Sequence, residues 1–431
     1  MGLMAIIIFF YIAVYVALIP RLLRKRDVLS LKFLTFEIVT QNFICILCCS
    51  FVNSTVSQFV LLYKELILYG AVLFCFLSKQ GKIRNKTMPL CIMPILVLPY
   101  FFIGEASLYT KLICFRQIMT PVILMLYGRT LSLKEEDYLL YFKFLIKIGI
   151  GIVFIGVIEE FVIGDNFWRL LQIQNYIDMK GFSAWAWDGL PGNFYSADLY
   201  LVFGMLRRMV SIMADPLLTG HFLAICVVIL LYRNVFSNTL QNLIALCLLT
   251  LGVALTLSKG AVLVIGIAYA YKLWKKNKFW ALPFVVISLI VLVFMIKNNT
   301  LYSISQHTGG LISSTNSILG GGLGSAGNYS NLYGNANSDI SESYIGALLG
   351  QMGLFGVIIF WGMFLYYSRI LLSYKKSKIR MLIFAYTLGV ICEAFVSESS
   401  INFVGVGVVF ILFGSLTNDF KTNLPLNKLS K

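Results

Sequence analysis

Apolar runs of roughly 17–25 residues recur from one end of this 431-residue chain to the other, each long enough to cross the hydrocarbon layer of a membrane. They are too long and too uniformly apolar for outer-membrane barrel strands, which alternate over about ten residues. With no water to satisfy the backbone, such a span must be a helix. Only 13% of residues are charged and 59% are hydrophobic, against about 25% charged in soluble domains. The expected fold class is therefore all-α, a polytopic membrane helix bundle of about 12–13 transmembrane helices. It forms a single integral membrane domain over 1–431, with two large extracytoplasmic loops at 164–215 and 297–342. The spans are expected near 3–20, 33–52, 56–78, 88–104, 112–128, 141–163, 216–232, 240–257, 260–273, 279–297, 343–368, 379–397 and 401–417.

The net charge is +16. Its distribution gives topology, not nucleic-acid binding, because the cations cluster in alternate short loops. Arg21–Lys32, Lys79–Lys86, Arg129–Lys134, Arg233, Lys272–Lys278, Lys375–Arg380 and the tail from Lys421 all fall on one side. That side is expected to be cytoplasmic, with the N-terminus outside and the C-terminus inside. The run Met1–Pro20 has its arginines after it and is expected to be the first span, not a signal peptide. The nine cysteines, including the Cys45–Cys48 pair, all sit in apolar runs and act as small hydrophobes.

Three stretches carry the chemistry, all at outer span ends, where ionisable groups are costly. The first runs from Arg207 to His221. Asp215-Pro216 is a helix start, with Asp215 as its cap. Arg207 and Arg208 suit an anion, because guanidinium groups match phosphate oxygens in pairs, although interfacial snorkelling would also explain them. The second is Thr256–Ala261, where two spans meet with almost no loop. It holds Lys259 at the outer surface, with Gly260 permitting the turn. The third is Asp339–Gly356. Asp339 and Glu342 have capping-box spacing, and Glu342 is alternatively a base or cation partner. Arg116 lies near the outer end of its span and needs an acidic partner or a ligand, with Glu159 and Glu160 as candidates. His221 and His307 are the only histidines, and no metal-ligand cluster is visible. Gly320–Gly327 contains a GxGxxG without a strand before it, and is expected to be a flexible loop.

In this order, the stretches resemble the O-antigen polymerase and ligase superfamily, the Wzy-type repeat-unit polymerases, over roughly Arg116–Phe355. The superfamily's arginine and Asp-Pro pattern is matched by Arg208, Ser211, Asp215 and Pro216. Its outer Ser-Arg-Gly turn is matched by Ser258-Lys259-Gly260, with Lys in place of Arg. Glu342-Ser343, nine residues and Gly353-Leu354-Phe355-Gly356 have the spacing of a ligase motif. Glu stands where the ligases have His, which argues against a ligase. The stretch from Ser303 through Gly320–Gly327 looks like the loop of capsular and exopolysaccharide polymerases.

The resemblance implies a glycosyltransferase of the bacterial cytoplasmic (inner) membrane. Its substrates would be undecaprenyl-pyrophosphate-linked oligosaccharides, held among membrane lipid, and a chain-length regulator and a flippase would be partners. Glu342, Arg208 and Lys259 would be catalytic. Arg116, Arg207, Asp215, His221, His307 and Ser343 would bind substrate. No metal and no cofactor are expected, since the cations would offset the leaving pyrophosphate charge. The alternatives are an O-antigen ligase and a lipid-linked oligosaccharide flippase or transporter.

Overall fold

The computed structural model describes residues 2–24, 27–77, 87–181, 186–197, 203–277, 318–328, 342–373 and 377–418, with isolated positions at 286, 290 and 330. The expected tenth span, His307, Asp339 and most of the second loop lie outside the described residues. Helices make up the fold: α1 (Gly2–Arg24), α2 (Val28–Phe51), α3 (Ser54–Leu77), α4 (Met88–Val97), α5 (Leu108–Thr130) and α6 (Glu135–Val157). Two short helices follow, α7 (Asn166–Leu170) and α8 (Ile173–Met179). Then come α9 (Pro216–Tyr232), α10 (Thr239–Leu255), α11 (Lys259–Lys276), α12 (Tyr344–Ser373), α13 (Lys378–Glu393) and α14 (Phe403–Leu416). The chain is all-α but for two short antiparallel pairs, β1 (Ala186–Trp187) with β2 (Leu190–Pro191) and β3 (Tyr195–Ser196) with β4 (Leu206–Arg207).

Among the described residues, four helical stretches are long and apolar enough to cross a bilayer: α2, Ser54–Phe74 of α3, α5 and α12. Shorter apolar helices include α9, α10 and α14. Several expected spans are thus shorter than a full crossing, and the expected span at 88–104 is also broken. In place of a continuous helix over 88–104, α4 stops at Val97 and a 3-10 turn, Leu98–Phe101, follows. Pro94 and Pro99 each lack the N–H a continuing helix requires.

α9 is the hub, packed against α6, α10, α11, α13 and α14, and α14 lies along α5. Gly128 and Gly414 face the partner's backbone there, the small-residue contact through which membrane helices approach closely. The segment 164–215 is a folded cap as far as it is described. Trp168, Ile173, Tyr176, Leu190 and Phe194 form an apolar core with Ile44–Cys48 of α2. Asn42 ties it down by donating to Met213 C=O at 2.9 Å and accepting from the Tyr176 hydroxyl at 3.1 Å.

The 30-residue α12 is interrupted at Gly353, whose φ of 64° and ψ of −165° are not helical. A side chain there would overlap the carbonyl of Ile318. The Gly320–Gly327 segment is consequently not the flexible loop its composition suggests. Gly321 and Gly322 donate to the carbonyls of Gly350 and Gln351 at 2.8 and 3.0 Å, and Leu323 donates to Tyr100 C=O at 3.1 Å.

Candidate functional site

Three polar clusters occupy one end of the bundle, where α6, α10 and α13 finish and α5, α9, α11, α12 and α14 begin.

The first is built on the end of α6, which widens into a π-helical turn, Ile158–Ile163, closed by Gly164. That turn buries Glu159. Its Oε1 accepts from the Trp168 indole at 2.7 Å and from Arg207, and its Oε2 accepts from the Val210 and Ser211 N–H groups, both at 3.3 Å. Arg207 also donates from Nε to Asp165 at 2.7 Å, and the Tyr195 hydroxyl donates to the same carboxylate. Burial alone would raise the Asp165 pKa, but these two donors hold it below the usual carboxylate range. Arg207, expected to bind substrate, is here engaged through Nε and Nη2 by two carboxylates of the chain itself. Arg208 follows immediately after β4. Arg208 is half-buried and its N–H donates to Phe194 C=O at 2.8 Å.

The second cluster surrounds the α10–α11 turn. Asp215 caps α9, its Oδ1 accepting from Leu217 and Leu218 N–H at 2.8 and 3.0 Å. Asn193 donates to its Oδ2 at 3.0 Å. Asp215→Ala should therefore lower stability by about 1–2 kcal/mol, read as a lower thermal midpoint. Met209, which follows Arg208, donates its N–H to Leu255 C=O at 2.9 Å and ties the Arg208 segment to the turn that carries Lys259. Lys259 is the first residue of α11 and half-buried, and Ser258 caps the helix.

Beneath this turn, His221 on α9 meets Glu393 on α13. Its Nε2 is 2.8 Å from both carboxylate oxygens, and its Nδ1 is 2.7 Å from Leu217 C=O. The two side chains are only 2% and 1% exposed, which removes His221 from substrate contact. Gly260 has a role other than the turn. The left-handed residue there is Leu257, at φ 47°, while a Cβ on Gly260 would overlap Glu393 Oε1.

The third cluster centres on a residue that sequence reasoning missed. Glu398 lies in the short loop between α13 and α14, with Gln117 of α5 donating to Oε1 at 2.9 Å and Asn328 N–H to Oε2 at 2.7 Å. Burial pushes its pKa up from the ordinary 4.5 to about 7; the two donors oppose the shift and the nearby charge of Glu342 adds to it. Glu342 is half-buried and immediately precedes Ser343. Ser343 caps α12: its hydroxyl accepts from Gly346 N–H at 3.0 Å and donates to Ala394 C=O at 3.2 Å. Ser343 is thereby corrected from a substrate contact to a cap. Beside Gln117, Arg116 pairs with Glu65 at 3.7 Å, not with Glu159 or Glu160.

The Glu398 shift has a sign that can be checked. Below pH 4.5 the group is protonated in both the folded and unfolded chain. Between 4.5 and 7 only the folded chain keeps its proton, so stability falls as pH rises and levels off above 7. Glu398→Gln should remove that slope, worth on the order of 3 kcal/mol, when thermal midpoints are compared across pH.

No family model, characterised protein or solved structure matches the chain. The chemistry available has to be argued from the residues themselves. Among the described residues, no group of three or more His, Cys, Asp or Glu side chains is disposed to hold a metal. Cations from three elements, Arg116, Arg208 and Lys259, share one end with the carboxyls of Glu342 and Glu398, a set that can hold a polyanion and exchange a proton.

Proposed function

We propose that this protein is a polysaccharide polymerase joining undecaprenyl-pyrophosphate-linked oligosaccharide repeats at the outer face of a bacterial cytoplasmic membrane. In that reading about thirteen spans place the N-terminus outside and the C-terminus in the cytoplasm. The observation that carries it is the hydrogen bond of Met209 to Leu255, which joins the Arg208 and Lys259 segments at the end where Glu342 and Glu398 lie. Two cation-bearing segments joined at the same end of the bundle as a carboxyl pair suit the transfer of a sugar from a pyrophosphate.

The step balances simply. The hydroxyl oxygen of one repeat bonds to the anomeric carbon of the other, and its proton passes to Glu342. The anomeric carbon–oxygen bond to pyrophosphate breaks, and the electron pair leaves with the diphosphate. Arg208, Lys259 and Arg116 offset the charge that develops there, the kind of positioned electrostatics that commonly dominates catalysis. The ligase reading is less well supported because Glu342 stands where a histidine is expected. A flippase would distribute its charges through a central path, whereas these gather at one end.

The deciding experiment is the chemical structure of the lipid-linked glycan that accumulates when the gene is deleted. Single repeats exposed on the outer leaflet are the expected result. Long unattached chains would indicate a ligase, and repeats held at the cytoplasmic leaflet a flippase.

A further inference from the structure

The opposite end of the bundle holds a cavity of about 770 Å3, open to the surface. Among the described residues three cations line it: Arg233 just beyond α9, Lys272 near the end of α11 and Lys378 at the start of α13. The one carboxylate among the described lining residues is Glu135, 3.4 Å from Arg233 and mostly exposed. Lys272 donates to the carbonyl of Leu231, which neutralises no charge. Lys378 has neither a hydrogen bond nor an ion pair with the described residues, and Lys276 stands close enough to Lys272 to add to the repulsion. Among the described lining residues, three cations face one carboxylate, a net charge of +2.

The start of α13 reinforces the point. A helix N-terminus favours an anion and disfavours a lysine. Here the first helical residue is Lys378, and Ser377 makes no side-chain cap bond. Ser377 and Lys378, at the start of that helix, line the same cavity as Arg233 and Lys272, and the Ser377 hydroxyl is a further donor there. A phosphate accepts from all of them, with the Arg233 fork suited to paired oxygens.

We propose that this cavity is a binding site for a phosphate group, independent of the reaction assigned to the other end. The phosphate can come from an anionic phospholipid headgroup or from a soluble phosphate, and the two sources separate experimentally.

The test uses the purified full chain and native mass spectrometry, titrating phosphatidylglycerol in one arm and inorganic pyrophosphate in the other. Three proteins are compared: wild type, Lys272→Gln with Lys378→Gln, and a control with Lys275→Gln and Arg369→Gln. The control makes the same charge change outside the cavity lining. The expected result is that wild type and control bind one anion alike, while the cavity variant binds about tenfold more weakly or worse. Binding confined to phosphatidylglycerol identifies a lipid site, and binding of pyrophosphate without lipid identifies a soluble ligand. Lys378→Gln alone, at an exposed position without a partner among the described residues, keeps the comparison available should the double variant fold poorly. Equal affinity in cavity variant and control, or no binding by wild type, overturns the proposal.

Discussion

Arg208→Ala and Lys259→Ala should each abolish long polymer while the protein remains in the membrane at wild-type level. Each removes one fixed positive charge from the end where the diphosphate would depart, and loss of a single such group slows comparable reactions by about 100- to 1,000-fold. The phenotype should be accumulation of single lipid-linked repeats. Arg207→Ala should behave differently although it is the adjacent residue. It strips the partner from Glu159, whose carboxylate is almost fully buried, and leaves Asp165 without its strongest donor. Removing one member of a buried pair costs about 3–5 kcal/mol, so protein level should fall. A normal chain-length distribution in both Arg208→Ala and Lys259→Ala would end the catalytic assignment.

Gly260→Ala should cause a large loss of stability. The new Cβ would overlap Glu393 Oε1 and come within 3.3 Å of His221 Nε2. The helix cannot retreat easily, since Gly220 on α9 packs against Ser258 with no room for a side chain. Separating the pair leaves a buried carboxylate without its partner, a cost of about 3–5 kcal/mol. Fluorescence-detected size exclusion across a temperature ramp would show it as a sharply lower midpoint. Adding Glu393→Ala to Gly260→Ala should recover part of the loss by making space. A wild-type midpoint for Gly260→Ala would place the pair elsewhere.

Much of the architecture was legible because long apolar runs leave the backbone few options. The Asp215 cap was equally legible, since Asp-Pro ahead of an apolar run has a local meaning that needs no tertiary contact. What escaped were properties that exist only between segments. Arg207 and Arg208 look alike in the chain, and only the pairing of β4 with β3 sends the first to Glu159 and Asp165. Gly260 suggested a turn, whereas the reason for its missing side chain lies 133 positions further on, at Glu393. Glu398 sits in the polar stretch Ser397–Ser400, which has the composition of an ordinary surface loop. Its burial follows from Gln117 and Asn328 arriving from distant parts of the chain. The glycines of Gly320–Gly327 suggested mobility because composition does not reveal that their N–H groups have partners on α12.

The break at Gly353 divides α12 into unequal rods. From Leu354 to Ser373 the helix runs 20 residues, about 30 Å, which matches the thickness of a hydrocarbon slab unaided. The preceding turns, Tyr344–Met352, need not share that tilt, and they are bolted to the glycine segment at Gly350 and Gln351. Bilayers of differing thickness would then be accommodated by inclination of the longer rod about this joint, with the shorter rod and its carboxyl neighbours keeping station.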